Sequence, residues 1–413
     1  VPALIPEATM PGGGLIRWLA VNTAESVFLR QQGLREALAP LLAEQPTRLD
    51  VVIHGDAAFV DAVLGDAAYV GSVNHVSLPK TVRSEAPTKK ARTAKGSEPV
   101  GGTLRFWVGA STKASRRSTY DAALALAQHQ AEANLLTRSL CVLPPNQLTP
   151  ATFRDQIPAL IKGSGIKVEV YDIKRLQALK AGAFLAVAQG SPAQDAAIVR
   201  LSYEPKAKGK TPYVSLVGKG ICFDTGGHNL KPARYMAGMH EDMAGAATVL
   251  SVIRAAARLQ LPVRLDAWLA LSRNDISPAA YCQGDIVTAL NGLTIEIVHT
   301  DAEGRMVLAD TLALAAKAMA GEDCGERVMA FAMPDDYDSA LESQVADVKQ
   351  CTLDGEADHT LAARFLNLFV GDLPWLHVDL SAAGCKGGLG AVGTDTTGFG
   401  AALALQFLRR LTK

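Results

Sequence analysis

The sequence has few cysteines, no excess of either charge and no long apolar run. Its six cysteines lie far apart and form no C-x-x-C pair, which excludes a dense disulfide framework and favours a reducing, cytoplasmic compartment. Lysine plus arginine and aspartate plus glutamate both number 41, so the basic excess expected of a nucleic-acid-binding protein is missing. No window approaches the roughly 18 apolar residues of a membrane span, and the segment VPALIPEATMPGGG lacks the basic-then-apolar order of a signal peptide.

Several hydrolase signatures are missing as well. The eight histidines form no H-E-x-x-H and no G-x-S-x-G occurs, which argues against a single-zinc peptidase and a serine hydrolase. The D-T-G of FDTGG at 223–227 occurs once, whereas a pepsin-like aspartic protease needs two such loops in symmetric halves. Any chemistry must therefore come from another kind of site.

What the sequence does contain is typical of a globular enzyme. Its 413 residues, 48% hydrophobic and 20% charged, exceed what one hydrophobic core usually organises, so two domains of roughly 150 to 250 residues are expected. Within residues 1–117, apolar runs at 48–55 and 103–110 follow a helical stretch at 25–44, which predicts a smaller amino-terminal α/β domain. Residues 118–140 are predicted to form a linking helix.

A larger domain is predicted over residues 141–413, where strand-like and helical segments alternate. Strands are expected at 168–172, 196–203, 213–220 and 263–271, and helices at 243–260 and 306–320. Such alternation predicts a mostly parallel central sheet flanked by helices, with ligands bound at the carboxyl ends of the strands. The chain as a whole is therefore predicted to be α/β with two domains.

Residues 80–102, KTVRSEAPTKKARTAKGSEPVGG, form a polar segment with six basic residues against two acidic ones. A solvated loop explains the composition most simply. Contact with a nucleic acid is the alternative.

Seven charged residues lie in two segments that each run from a predicted strand into a predicted helix. They are Lys219, Asp224, Lys231 and Asp242 in the first segment, and Asp301, Glu303 and Arg305 in the second. In extended backbone, positions i and i+2 project to the same side, so Asp301 and Glu303 can aim at one point. Four carboxylates on such turns would repel each other unless a cation lay between them. Hard oxygen ligands without a cysteine or histidine cluster favour divalent metals, and four carboxylates are more than one ion needs.

Each of these residues also has a simpler explanation. Asp242, Asp301 and Glu303 could each complement the amino terminus of a helix. The two lysines could be solvated surface residues, and Arg305 could pair with a neighbouring carboxylate. Their joint occurrence, order and spacing favour the metal centre.

The two segments resemble the leucyl aminopeptidase family of metallopeptidases, whose hallmark is N-T-D-A-E-G-R. This chain reads HTDAEGR at 299–305. The upstream family pattern is also met: G-K-G, then F-D-[ST]-G-G, with a lysine seven residues and a second aspartate eighteen residues after that aspartate. The resemblance covers roughly residues 140–413, so 141–413 would be the metallopeptidase catalytic domain, whereas residues 1–117 resemble nothing specific.

The resemblance implies a role for each residue. Five would hold two divalent metal ions, with Zn or Mn expected: Lys219, Asp224, Asp242, Asp301 and Glu303. Two would be catalytic, because Lys231 would donate to the developing oxyanion and Arg305 would hold a bicarbonate ion that shuttles a proton. Met239 would line the pocket for the first side chain, which predicts leucine and other apolar amino-terminal residues as substrates.

The implied activity is removal of the amino-terminal residue from short peptides by a hydroxide that bridges two metals. The resemblance also implies a homohexamer, and the composition predicts that it is cytoplasmic, with neither a membrane nor a nucleic acid as partner. A scaffold or DNA-associated regulator with impaired catalysis is the alternative. The intact metal and catalytic set argues against that alternative.

Two departures from the family pattern stand out. His299 lies where the family usually has asparagine. The stretch from 314 to 337 lacks the strand and loop, reading like D-A-A-T-L-T-G-A, that family members insert before their G-[DE]-R-V segment. Either residues are missing from this sequence near Gly321 to Cys324, which is expected because losing a buried strand would damage the sheet, or the deletion is genuine and weakens the prediction of activity.

Overall fold

A computed structural model describes most of the chain. The described residues are 4–10, 14–79, 98–99, 103–109, 116–206, 211–315, 333–355, 357–371 and 373–411. They form two compact units, one within Val1–Ser139 and Ser381–Gln406, the other within Leu140–Ala320, Met329–Leu380 and Phe407–Lys413. The predicted domain boundaries stay a prediction. The polar segment 80–102, apart from residues 98–99, and most of the departure at 314–337 lie outside the described residues.

Strands and helices alternate along the chain, which confirms the predicted mixed α/β class. The strands are β1 (Leu4–Thr9), β2 (Leu15–Leu19), β3 (Arg48–Ile53), β4 (Val76–Ser77), β5 (Glu98–Pro99), β6 (Thr103–Val108), β7 (Lys167–Asp172), β8 (Ala197–Tyr203), β9 (Tyr213–Asp224), β10 (Arg264–Asn274), β11 (Ile286–Thr288), β12 (Thr294–Glu296) and β13 (Val348–Lys349). The α-helices are α1 (Val27–Ala43), α2 (Ala57–Asn74), α3 (Arg117–Cys141), α4 (Pro150–Leu160), α5 (Ile173–Ala178), α6 (Gly182–Ala188), α7 (Ala233–Met236), α8 (Ala244–Arg258), α9 (Glu303–Leu314), α10 (Asp358–Asn367) and α11 (Ala401–Leu411). Short 3₁₀ helices span Met239–Glu241, Asp335–Leu341 and Ser381–Ala383. Among the described helices, none is both long enough and apolar enough to cross a membrane.

The first unit contains a parallel pair of strands, β3 and β6, packed against helices α1 and α2. Both helices begin at caps that the sequence supplies, because the side chains of Ser26 and Asp56 accept hydrogen bonds from backbone N–H groups of the first turn. Buried aliphatic side chains fill the space between helices and strands. They include Leu34, Leu38, Ile53, Val60 and Leu64.

The second unit is organised by a sheet with the strand order β7-β8-β10-β9 in the described part of the chain. Strand β10 pairs in parallel with β9 but antiparallel with β8, and β8 pairs antiparallel with β7. These strands therefore do not confirm the predicted mostly parallel sheet. The sequence could not decide the point, since β8 and β10 are buried along most of their length and a continuous apolar run suits either orientation.

Small residues allow helix α8 to lie close against strand β9. A Cβ added to Gly245 of α8 would lie 2.8 Å from the backbone nitrogen and 3.0 Å from the carbonyl oxygen of Lys219. The helix, AGAATVLSVIRAAAR, is rich in alanine and buried along most of its length. Its first turn therefore rests directly on the backbone of the strand that carries Lys219.

Helix α9 is held in the second unit by a buried carboxylate. Asp310 accepts hydrogen bonds from the backbone N–H of Phe184 at 2.9 Å and from that of Leu290 at 2.7 Å. Burial raises the pKa of Asp310 to about 6, although the backbone donors oppose the shift. Met306 on the same helix is fully buried in the core. Glu303, the first residue of α9, is therefore set on a fixed element.

Candidate metal centre

The candidate site lies at the carboxyl ends of two neighbouring parallel strands. Strand β9 ends at Asp224 and β10 ends at Asn274, and the two residues are opposite each other in the strand register. Parallel strands end at the same edge of a sheet, so the loops that follow them bring their side chains together there. This is the edge at which the sequence predicted a ligand site.

Three of the predicted carboxylates converge at this edge. One oxygen atom from each of Asp224, Asp242 and Glu303 lies within 4.8 Å of the others. The ammonium nitrogen of Lys219 lies 2.8 Å from Asp242 Oδ2 and 2.8 Å from Glu303 Oε1. These residues come from β9, from the end of the 3₁₀ helix Met239–Glu241 and from the start of α9. The fold thus joins the two segments that the sequence singled out.

Lys231 joins the fourth predicted carboxylate to this group. Its nitrogen lies 2.9 Å from Asp224 Oδ2 and 2.5 Å from Asp301 Oδ1. Asp224 is buried, whereas Asp301 is half-buried on the turn before α9. The structure therefore brings the five predicted ligands and Lys231 into one continuous cluster.

The cluster is short of positive charge. Its four carboxylates are matched by two ammonium groups, which leaves two negative charges in excess when all six groups are ionised. Burial raises the pKa of Glu303 to about 8 and that of Asp242 to about 6. Burial by itself would lower the pKa of Lys219, but the surrounding carboxylates outweigh it and raise that pKa. These shifts express the cost of burying like charges together, and a bound cation removes that cost.

Two carboxylate oxygens indicate whether the residues of the cluster suit metal ions. Asp242 Oδ2 and Asp301 Oδ1 are buried and accept no well-directed hydrogen bond from the described residues, although a lysine nitrogen lies 2.8 and 2.5 Å away, respectively. Each oxygen therefore faces one ammonium group and keeps a further lone pair that suits a cation. Carboxylates combined with one amine form a donor set that suits divalent ions such as Mn²⁺ or Zn²⁺. The residues present therefore fit a divalent metal ion.

A buried amide ties the ligand-bearing segments together. Asn274 Nδ2 donates to Asp224 Oδ1 at 2.8 Å and to Glu303 Oε2 at 3.3 Å, and it also donates to the Thr300 carbonyl at 3.1 Å. Thr300 exchanges two hydrogen bonds with Asn229, each 2.8 Å long. Asn274 therefore connects β10 to the end of β9, to the start of α9 and to the turn before α9. Outer contacts of this kind orient metal ligands and tune their affinity.

Lys219 reaches the cluster past a second glycine. A Cβ added to Gly304 would lie 2.6 Å from Lys219 Cε and 2.8 Å from its Nζ. Because Gly245 touches the backbone of the same lysine, the residue is confined on two sides. A larger residue at Gly304 would displace the lysine nitrogen from the carboxylates.

Arg305 follows Glu303 by two residues and is bound by two groups of the same unit. Its Nη1 donates to the Gln350 carbonyl at 2.9 Å, and its Nη2 donates to Asp358 Oδ1 at 2.6 Å. The arginine side chain is 10% exposed and that of the aspartate is 59% exposed. The simpler explanation for Arg305, pairing with a carboxylate, is therefore what the described residues show. A bicarbonate at Arg305 stays a prediction.

Two further residues singled out in the sequence lie on the segments that carry ligands. Met239 begins the 3₁₀ helix that leads to Asp242 and is half-buried, and its contact with a substrate stays a prediction. His299 accepts the backbone N–H of Asp301 on Nδ1 at 3.2 Å. The histidine that replaces the family's asparagine thus supports the turn that carries Asp301, a predicted ligand.

Sequence reasoning missed Asn274 and Asp358. A signal existed for Asn274, because this polar residue follows the predicted apolar strand VRLDAWLAL (263–271) by three residues, at the end where a ligand site is expected. Asp358 gave no signal, since nothing in its segment indicates contact with a residue 53 positions earlier in the chain.

Comparisons with known proteins give three findings. The catalytic domain of the cytosol aminopeptidase family matches residues 135–322 and 315–405. A probable cytosol aminopeptidase of Stutzerimonas stutzeri is 39% identical over 61% of this chain and 58% of its own length. One of Bradyrhizobium sp. is 31% identical over 85% of this chain and 82% of its own length. Among solved structures, the bottromycin maturation enzyme BotP in complex with Mn is similar, with a TM-score of 0.78, 26% identity and coverage of 100% of this chain and 94% of that one.

The extent of these matches differs. The chain spans about three fifths of the length of the first curated relatives it matches. The two stretches that match the family overlap at residues 315–322, beside the position at which the D-A-A-T-L-T-G-A segment is missing.

Proposed function

Because the chain belongs to the cytosol aminopeptidase family, we propose that it is a metal-dependent aminopeptidase, a hydrolase that removes the amino-terminal residue from peptides. The observation that carries the proposal is the convergence of Asp224, Asp242 and Glu303 to within 4.8 Å of one another. Lys219 lies between two of these carboxylates. An ordinary hydrophobic core would not contain such a cluster of acidic side chains, because ionised carboxylates are costly to bury without a cation.

Five residues are proposed to hold two divalent ions: Lys219, Asp224, Asp242, Asp301 and Glu303. When bound, such ions supply a Lewis acid for the scissile carbonyl and an acidified water as nucleophile. Asn274 supports this arrangement by donating to both Asp224 and Glu303. Lys219 would bind as a neutral amine, so it would have to give up its proton as the ions enter.

The two remaining polar residues are proposed to act on the substrate and on proton movement. Lys231 would donate to the oxyanion, a role that typically contributes about 3 to 4 kcal/mol to transition-state stabilisation. Its position 2.9 Å from Asp224 supports this role, because a donor there is held beside a metal ligand. Arg305 would act on proton movement by holding an anion, and the resemblance implies that this anion is bicarbonate.

The finer features are also proposals. Manganese is one candidate ion, supported by the Mn in the BotP complex, and zinc is the other. Short peptides with leucine or another apolar residue at the amino terminus are the proposed substrates, with Met239 in the pocket. A cytoplasmic homohexamer is the proposed assembly. The likeness to BotP, which covers the whole chain, supports a second candidate function, namely maturation of one dedicated substrate rather than hydrolysis of many peptides.

Hydrolysis by metal-stripped and reloaded protein tests the proposal. The substrates are leucyl peptides with a free or an acetylated α-amine and a panel of amino-acid anilides. The test variant is Asp242→Ala, and its control is Asp347→Asn, which changes an exposed carboxylate outside the cluster. We expect hydrolysis only after Mn²⁺ or Zn²⁺ is restored, only of free amines, and with the control variant but not with Asp242→Ala. Equal cleavage of acetylated peptides would contradict exopeptidase action. Full metal content without hydrolysis of any substrate would favour the scaffold alternative or a dedicated substrate.

A further inference from the structure

We propose that Asp358 fills, from within the chain, the anion position of Arg305. The resemblance implies a bicarbonate ion at this arginine, but the Asp358 carboxylate already accepts a hydrogen bond from Nη2 at 2.6 Å. The second terminal nitrogen donates to the Gln350 carbonyl at 2.9 Å. Arginine binds planar anions through a pair of parallel N–H groups. One planar carboxylate is thus already bound at Nη2, and an external planar anion would compete with it for this nitrogen.

The position of Asp358 is built into the backbone. Asp358 is the first residue of α10, and it follows Ala357, whose φ of 51° lies in the left-handed region. A residue with a Cβ enters that region at a cost of roughly 1 to 2 kcal/mol, so the surrounding structure must impose it. Helix α10 is itself held in the core by Leu361 and Phe365, which are almost completely buried. The carboxylate therefore starts from a fixed helix end.

The Asp358 carboxylate and bicarbonate are chemically alike, which explains why one can take the place of the other. A carboxylate and a bicarbonate offer an arginine the same planar O–C–O group with one negative charge. The tethered group has the advantage, because only side-chain rotation is lost when it binds, whereas a free ion loses translational freedom. The Arg305 side chain is 10% exposed, which limits solvent competition on the arginine side of the pair, although the Asp358 side chain is 59% exposed. The protein is therefore expected to neither need nor bind bicarbonate at this position.

The consequence for catalysis rests on the proposed function. Asp358 is a positioning residue in this inference, because it acts through Arg305 and touches no predicted metal ligand among the described contacts. If the chain is an aminopeptidase, its rate in carbonate-free buffer should not rise when bicarbonate is added. In Asp358→Asn the rate should become dependent on bicarbonate.

Titration with ¹³C-labelled bicarbonate, followed by NMR line width, tests the occupancy directly and without a peptide substrate. Asp358→Asn keeps the side-chain shape but removes the charge, so it should bind bicarbonate about tenfold or more tightly than the unmodified protein, the change expected for one charge-assisted hydrogen bond. Asp338→Asn is the matched control, because Asp338 pairs with Arg364 of the same helix at 2.5 Å but lies outside the site. This control should bind as weakly as the unmodified protein.

The double variant Asp358→Asn with Arg305→Ala assigns any new binding to the arginine. Its expected affinity is that of the unmodified protein. Unmodified protein that binds bicarbonate as tightly as Asp358→Asn would overturn the proposal, and so would a gain that persists in the double variant. The experiment measures anion binding and not peptide hydrolysis. Its result therefore stands even if the protein is not an aminopeptidase, and failure of the proposal for Asp358 would not contradict the proposed aminopeptidase activity.

Discussion

Replacement of Asp310 by asparagine should change the stability of the protein in a way that depends on pH. Asp310 is fully buried and accepts one backbone N–H on each carboxylate oxygen, from Phe184 and from Leu290. Asparagine has a single acceptor oxygen, so its amide N–H₂ would face one of these donors. We therefore expect Asp310→Asn to lose one hydrogen bond and to leave a buried N–H unpaired, at a cost of roughly 1 to 3 kcal/mol.

The pH dependence follows from the shifted pKa. Burial raises the pKa of Asp310 from an ordinary 3.8 to about 6, so the folded protein binds this proton more tightly than the unfolded chain does. The stability that comes from the neutral carboxyl is fully present below about pH 4 and is lost as the pH rises through about 6. A tenfold change in proton affinity corresponds to about 1.4 kcal/mol. Between pH 4 and pH 8 the advantage of the natural protein over Asp310→Asn should therefore shrink by about 2 to 3 kcal/mol.

Urea denaturation at several pH values, with the same chelator concentration throughout, measures this difference. Asp347→Asn is the control, because Asp347 also accepts two hydrogen bonds, from the backbone N–H and hydroxyl of Thr294, but is exposed. Hydrogen bonds with Thr294 lower the pKa of Asp347 from an ordinary 3.8, so its contribution grows only up to about pH 4 to 5 and stays nearly level above that. A difference for Asp310→Asn that stays as level between pH 4 and pH 8 as the one for Asp347→Asn, or that grows with pH, would refute the reasoning.

Three further results are expected. Asn274→Ala removes the donor to Asp224 and Glu303, so it should weaken metal affinity by about 10- to 100-fold without unfolding the protein, as metal titration followed by circular dichroism would show. Lys231→Ala should lower turnover much more than metal content, whereas Asp242→Ala should lose metal. Elemental analysis and initial rates measure both effects, and a Lys231→Ala protein that loses its metal but turns over normally once the metal is restored would contradict the catalytic role of Lys231. Light scattering at micromolar concentration should show a hexamer of the 43.5 kDa chain, and a fully active monomer would exclude it.

The sequence predicted the elements of the fold better than their pairing. The apolar runs at 213–220 and 263–271 are strands β9 and β10, and the helix predicted at 243–260 is α8. Their relative orientation depends on which strands neighbour each other, and a run such as that of β8 is equally suited to a parallel or an antiparallel partner. The mixed orientation of the described sheet could therefore not be predicted from the sequence.

The candidate site was more predictable than the sheet, because ligand residues are constrained in type and spacing. Asp224, Asp242 and Glu303 meet where the two segments indicated. Partners of the ligands are less constrained, since many side chains can donate one hydrogen bond. The roles of Asn274 and Asp358 depend on contacts between distant parts of the chain, so they became visible only in three dimensions.

The absence of a side chain at Gly304 limits which residues this position can accept. A Cβ there would lie 2.6 Å from Lys219 Cε and 2.8 Å from its Nζ, closer than Cβ atoms come to other heavy atoms in real structures. Even alanine would therefore push the lysine nitrogen away from Asp242 Oδ2 and Glu303 Oε1, each now 2.8 Å from it. The addition of one methyl group on α9 should thus disturb the cluster without altering any of its charged residues.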